Sequence, residues 1–295
     1  MTMVFGVPLQ ALLGQLLLGL VNGSFYAVLS LGLAIIFGLL NIINFTHGVF
    51  YMLGAFAAWM GLSYLGLNYW LMLLLGPLVV GIVGIVIERA LLRHLYRLDH
   101  LYGLLLTFGL TLLIEGLFRS FYGVSGQEYS APKLLQGGFN LGFMFLPLYR
   151  AWVVVMSVVV CLATWFIIEK TRLGSLLRAA TENPKLVESF GINVPIVISL
   201  TFGFGAALAG FAGVLAAPIL QISPLMGSNL VIVVFAVVVI GGMGSILGSI
   251  VTGISLGVIE GLTKVYWPEA ASTVIFAIMV IVLLMRPNGL FGKKS

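Results

Sequence analysis

The sequence predicts an all-α, polytopic integral membrane protein, with about 8–10 transmembrane helices and one or more broken or re-entrant segments. Three observations predict it. Of the 295 residues, 61% are hydrophobic and only 8% are charged, where a soluble domain carries about 25% charged residues. Mean hydropathy is +1.19, and no Lys, Arg, Asp or Glu precedes Glu88. Apolar runs long enough to cross a bilayer recur from one end of the chain to the other. The 37 glycines suit helices whose backbones approach closely in lipid. Residues 1–295 read as one membrane-spanning domain.

Residues 8–30 form a first span, with Gly19 and Gly23 four apart. The start of the chain lacks the basic segment of a secretory signal, so no cleaved peptide is expected. Residues 31–60 are too long for one simple span and carry a polar interruption from Asn41 to Gly48. One long broken helix, or a re-entrant piece followed by a helix, would fit. Residues 69–88 span next, and a short basic loop, Arg93 to His100, leads to a span at 101–118. Residues 119–149 are the longest connection, with turn signals at Gly123, Ser125-Gly126, Pro132 and Gly137-Gly138. A short amphipathic or re-entrant piece is expected around Phe139 to Leu148. Further spans fall at 150–168 and 194–217, and Pro218 and Pro224 bracket a short loop. Residues 229–262 exceed one crossing of about 30 Å, and Gly241-Gly242-Met243-Gly244-Ser245 divides them in two. Residues 271–285 form the last span. The total is about nine crossings.

Charge orients the chain. With the C-terminus inside, ten of the fourteen basic residues fall on inside segments: Arg89, Arg93, Arg97, Lys170, Arg172, Arg178, Lys185, Arg286, Lys293 and Lys294. Arg119, Lys133, Arg150 and Lys264 fall outside. The net charge of +5 thus follows the positive-inside rule, and no nucleic-acid partner is expected. Nine crossings put the N-terminus outside, and ten would put it inside. Two ladders of small residues, Gly205/Ala209/Gly213/Ala217 and Ser245/Ser249/Gly253/Gly257/Gly261, mark faces for tight helix–helix packing.

Catalytic and nucleotide-binding signatures are absent. The sequence has no HExxH, CxxC, GxSxG or Walker-type GxxxxGK[ST] segment, so no catalytic, metal or cofactor-binding residue is expected. Cys161 sits in an apolar run as a structural thiol, and His47, His94 and His100 are too scattered for a metal cluster. Glu115/Arg119 and Glu260/Lys264 have the i, i+4 order of helical ion pairs near the outer ends of their spans. Asn22, Asn41, Asn44, Thr46 and His47 place uncharged polar groups in apolar surroundings. Such groups need hydrogen-bond partners. They either line a polar passage or hold helices together.

Residues 170–193 are the one densely polar segment. Leu173, Leu176, Leu177 and Ala180 give one apolar face of a short helix, with Arg178 and Glu182 off it. Asn183-Pro184 then restarts the chain as N-cap and first helical residue. Leu186 and Phe190 follow at i, i+4, and Gly191 supplies a left-handed stop. Two short amphipathic helices suit a partner groove or the bilayer surface.

Gly174, Arg178-Ala179, Asn183 and Gly191-Ile192-Asn193 resemble the cytoplasmic coupling loop of ABC importer permeases, specifically the branched-chain amino-acid (LivH-type) subunits. Asn22 to Val28, Ile43 to Gly48, Ile240 to Ser245 and Arg286 to Gly292 carry the same resemblance, which covers nearly the whole chain. It implies a multi-pass protein of the bacterial inner membrane. Its partners would be a second related permease subunit, two cytoplasmic ATP-binding subunits and a periplasmic solute-binding protein. ATP would be used by those partners, with no cofactor in this chain. Gly174, Arg178, Ala179, Glu182, Asn183, Leu186 and Gly191 would couple to the ATPase. The substrate would be a branched-chain or other small neutral amino acid, with urea or a short amide as the alternative in the same family. From another class, a self-sufficient channel or secondary transporter for a small neutral solute also fits the composition.

Overall fold

The computed structural model describes residues 3–4, 7–40, 43–96 and 98–292, with only the backbone at 3, 4, 39 and 40. Eleven α-helices are present among them. Seven are long and apolar enough to cross a membrane: α1 (Leu9–Leu40), α2 (Thr46–Leu65), α3 (Tyr69–Ala90), α4 (His100–Tyr122), α5 (Leu148–Lys170), α8 (Val194–Ala216) and α10 (Ile246–Tyr266). Two apolar helices are shorter, α9 (Met226–Gly241) and α11 (Val274–Met285). The polar pair α6 (Arg172–Glu182) and α7 (Pro184–Ser189) joins α5 to α8. Seven long and two shorter apolar helices among the described residues fit the expected range of crossings.

Two expected boundaries shift. Residues 31–40 belong to α1, which runs unbroken for 32 residues. The polar interruption is therefore the link between α1 and α2, and it folds back along α1 so that α2 begins beside Leu29 and Gly32, well before the end of α1. The outer connection holds a two-stranded hairpin, β3 (Gly138–Asn140) with β4 (Phe145–Pro147), in place of an amphipathic or re-entrant piece. Gly137 and Gly138 sit at its base. Gln127 of the same connection pairs with Ile222, after α8.

The small-residue ladders seat the helices. Gly19 and Gly23 of α1 lie against Gly253, Gly257 and Gly261 of α10, and Gly38 lies against Gly244, so the two helices run antiparallel over their full length. The Ser30 hydroxyl donates to the Ser249 carbonyl at 3.2 Å across this seam. In α8, Gly205 meets Gly32, Gly210 meets Gly54 and Gly203 meets Gly81, which makes α8 the hub for α1, α2 and α3. The α9–α10 turn needs a left-handed backbone at Gly242 (φ 100°) and Gly244 (φ 83°), which glycine adopts without steric cost. Buried Leu31, Phe50, Tyr51 and Phe202 belong to one contiguous core. The outer faces of α3, α4 and α5 expose Leu74, Leu105 and Val155, surface that lipid or an apolar neighbour must cover.

Candidate functional site

Two places concentrate polar structure. The first is the α6–α7 pair. Ala180, Val187 and Val194 form a small core of their own, with Leu176, Ile192, Val197 and Ile198 packed against it. It closes over the start of α8 and is separate from the main core. Asn183 Oδ1 accepts the Leu186 N–H at 3.1 Å, so the cap expected at that position forms. Gly191 stops α7 at φ 80°. Gly174 is buried against the backbone of Ile168, so a Cβ there would strike α5. Arg178 Nη1 donates to the Ile168 carbonyl at 2.9 Å and lies 3.7 Å from Glu169. These two residues thus clamp α6 to the end of α5. Ala179, Glu182 and Leu186 face outward. So do Leu173 and Phe190, the latter 76% exposed. The apolar face expected at Leu173, Leu176, Leu177 and Ala180 is therefore split: Leu176 and Ala180 turn to the small core and Leu173 turns away.

The second place lies within the bundle, where two helices begin. Sixteen residues of α9 span only about 24 Å, short of the roughly 30 Å hydrocarbon core. Non-helical residues 217–225 lead into its first turn. Gly227 of α9 and Gly48 of α2 touch backbone to backbone, an approach that only glycine permits. Around this contact, Thr46 Oγ1 donates to the Thr107 carbonyl at 3.1 Å and Thr107 Oγ1 accepts the Phe45 N–H at 3.3 Å. His47 Nε2–H donates to the Leu29 carbonyl at 2.9 Å. Ser228 Oγ donates to the buried carboxylate of Glu115. Both amide atoms of Asn44, the Nδ1 of His47 and the Tyr51 hydroxyl are buried without a hydrogen-bond partner among the described residues. The crevice lined by Leu29, His47, Gly48, Tyr51 and Gly227 is too narrow to admit water.

Residues 15–283 match the family described as branched-chain amino acid transport system, permease component. This chain is a member of that family. The permease is 30% identical to the high-affinity branched-chain amino acid transport system permease protein LivH of Escherichia coli K12, over 96% of each chain. It is 31% identical to BraD of Pseudomonas aeruginosa, a permease protein of the same description, again over 96% of each. It is also 29% identical to the permease protein LivM of Escherichia coli K12, over 90% of this chain and 67% of that protein. No solved structure matches it.

Of the polar residues singled out in the sequence, the permease brings Asn44, Thr46 and His47 together at the start of α2. Asn22 is half-buried on α1, seven residues before Leu29 and so about 10 Å further along the helix. Asn41 lies outside the described residues. The Glu260–Lys264 pair forms, with Lys264 Nζ 2.6 Å from Glu260 Oε1. The Glu115–Arg119 pair does not, because the Glu115 carboxylate turns inward to Ser228 of α9 instead. Tyr51, Tyr26, Thr107 and Ser228 escaped the sequence reading. Tyr51 carried a usable signal, standing one helical turn after His47. Tyr26 donates to Glu260 at 2.7 Å, a contact 234 residues apart that no local pattern reveals. In the outer connection, Tyr129 is held neutral, since burial first and the nearby Tyr69 second push its hydroxyl up to about 12. Among the described residues no group of three or more His, Cys, Asp or Glu could hold a metal ion.

Proposed function

We propose that this permease carries branched-chain or other small neutral amino acids across the bacterial inner membrane as one subunit of an ABC importer. In this reading a second, related permease subunit, two cytoplasmic ATP-binding subunits and a periplasmic solute-binding protein complete the transporter. ATP is consumed by the partners. One observation carries the reading: a capped helix pair with its own small core, clamped to α5 and α8 on the basic face, turns Leu173, Leu186 and Phe190 to the outside. A solvated loop would gain nothing by exposing them, whereas a partner groove would bury them. Likeness to both LivH and LivM supports a related second subunit. In the same reading the meeting of α2 and α9 is a point on the passage, held shut here. Helix starts and non-helical backbone at membrane depth are how carriers place polar groups for a solute.

Reconstitution tests this. Proteoliposomes holding the permease, its related subunit and the ATP-binding subunits should accumulate leucine only with ATP and the binding protein, and should not accumulate urea. Uptake by this chain alone would sink the importer reading. The polar cluster has its own test. Asn44→Leu should stabilise the purified permease by about 1–3 kcal/mol, because two buried, unpaired amide atoms are replaced by an apolar group of similar volume. The same variant should lower uptake. A thermal melt and an uptake assay read the two effects, and a destabilised variant would assign Asn44 to packing.

A further inference from the structure

A second polar feature of the cytoplasmic face lies beside the coupling pair. Arg89, at the inner end of α3, and Arg93 after it share an open cavity of about 310 Å³ with Asn193, Pro195 and Ile196 at the start of α8. Behind it sits Glu88, only 1% exposed. Its carboxylate accepts the Tyr96 hydroxyl at 2.7 Å and, on its other oxygen, the Ser199 hydroxyl. Ser199 Oγ in turn accepts the Arg89 Nε–H at 3.2 Å. The Tyr96 hydroxyl is raised above the ordinary tyrosine range by burial first and by Glu88 second, so it stays a proton donor and the acid stays committed inward. Neither arginine is ion-paired with a carboxylate among the described residues. Two guanidinium groups thus face the cavity against one buried carboxylate, and the cavity keeps a positive charge.

The walls above the cavity are apolar. Ile82, Val86, Arg89 and Arg93 follow one another at helical spacing on one face of α3 and its extension. Ile196, Leu200 and Phe204 do the same on α8. Ile82, Val86, Ile196, Leu200 and Phe204 are all exposed. Because α3 and α8 pack antiparallel through Gly81 and Gly203, both apolar rows run from the arginines into the membrane. The α8 row covers about 12 Å and the α3 row about 6 Å.

We infer that the cleft between the inner ends of α3 and α8 binds an anionic phospholipid of the cytoplasmic leaflet. Its phosphate sits on Arg89 and Arg93, and its acyl chains lie along the two apolar rows. The guanidinium fork matches a phosphate. A free phosphate, or an acidic side chain of a neighbouring protein, would use the arginines and leave the apolar rows idle, so the lipid is the occupant that the whole cleft fits.

The test titrates phosphatidylglycerol and phosphatidylcholine into the purified, full-length permease in its assembled transporter and follows the thermal melt. Phosphatidylglycerol should give its half-maximal shift at a concentration about thirtyfold lower than phosphatidylcholine, from two arginines at a membrane surface. Arg89→Gln with Arg93→Gln should erase that preference, and the double lysine variant should keep most of it. Arg172→Gln, on the same face but outside the cleft, should change nothing. Where the double glutamine variant does not assemble, Arg93→Gln alone should still cut the preference by about fivefold. Equal midpoints for the two lipids, a preference that survives the glutamine pair, or the same shift with inorganic phosphate alone would each overturn the assignment.

Discussion

Gly257→Leu is expected to abolish assembly of the permease. A Cβ at Gly257 would land on the backbone of Gly23, and one at Gly19 would stand 2.6 Å from the Gly257 carbonyl oxygen. The obstruction is main chain on both sides, so no side chain can rotate away. Overfilling a packed interior costs about 1–3 kcal/mol even where side chains can move. Here α1 and α10 would have to separate along their shared length, which also breaks the Ser30–Ser249 and Tyr26–Glu260 hydrogen bonds. The expected loss exceeds about 5 kcal/mol, the lower end of the stability of a whole domain. Size-exclusion profiles of the solubilised protein read it directly. Gly109→Ala and Gly116→Ala on α4 are the controls. Nothing lies within 4 Å of a Cβ at either position, and alanine should be neutral or stabilising by up to about 1 kcal/mol. Normal assembly of the leucine variant would show that the seam is not what joins α1 to α10.

Phe190→Asp is expected to bring uptake to background while leaving the permease folded. Phe190 is 76% exposed and belongs to no core of this chain, so its loss removes nothing that holds α7. In a partner groove, an aromatic anchor of this kind contributes about 2 kcal/mol or more, which corresponds to about thirtyfold in affinity. An aspartate buried there adds a desolvation penalty. Co-purification of the ATP-binding subunits and ATP-driven uptake should fall together, with the melting profile of the permease itself unchanged. Gly174→Asp fails by another route, through the Ile168 backbone, and should destabilise α6 as well. Unaltered uptake in the Phe190 variant would remove the docking role from this face.

Much of the fold was legible because membrane crossings announce themselves one at a time, in composition. The apolar helices, the break at Gly241 to Ser245 and the capped restart at Asn183-Pro184 all rest on residues within a few positions of each other. What escaped was non-local. Both ladders read correctly as packing faces, yet which helix each would meet depends on topology: Gly257 on Gly23, Gly213 on Tyr51. Residues 31–40 looked like a separate segment because helix length in a bundle follows tilt and neighbours, which spacing does not record. Glu115 obeyed the local rule for a pair with Arg119 and lost that partner to Ser228, 113 residues away. In residues 170–193 the residue types were readable and their directions were not. Gly174 and Arg178 looked like contact residues, and their side of the helix turned out to be occupied by α5.

The two attachments of α6 have a mechanical consequence. The clamp from Gly174 and Arg178 ties it to the last turns of α5, and the shared small core of Ala180, Val187 and Val194 ties it and α7 to the first turn of α8. A body fixed at two points keeps their spacing constant, like the web between two flanges of a beam. In the proposed importer, a load applied at Phe190 would be expected to turn α5 and α8 together and not to spread them. Because α8 carries the glycine contacts to α1, α2 and α3, such a rotation would reach those three helices through direct backbone contacts.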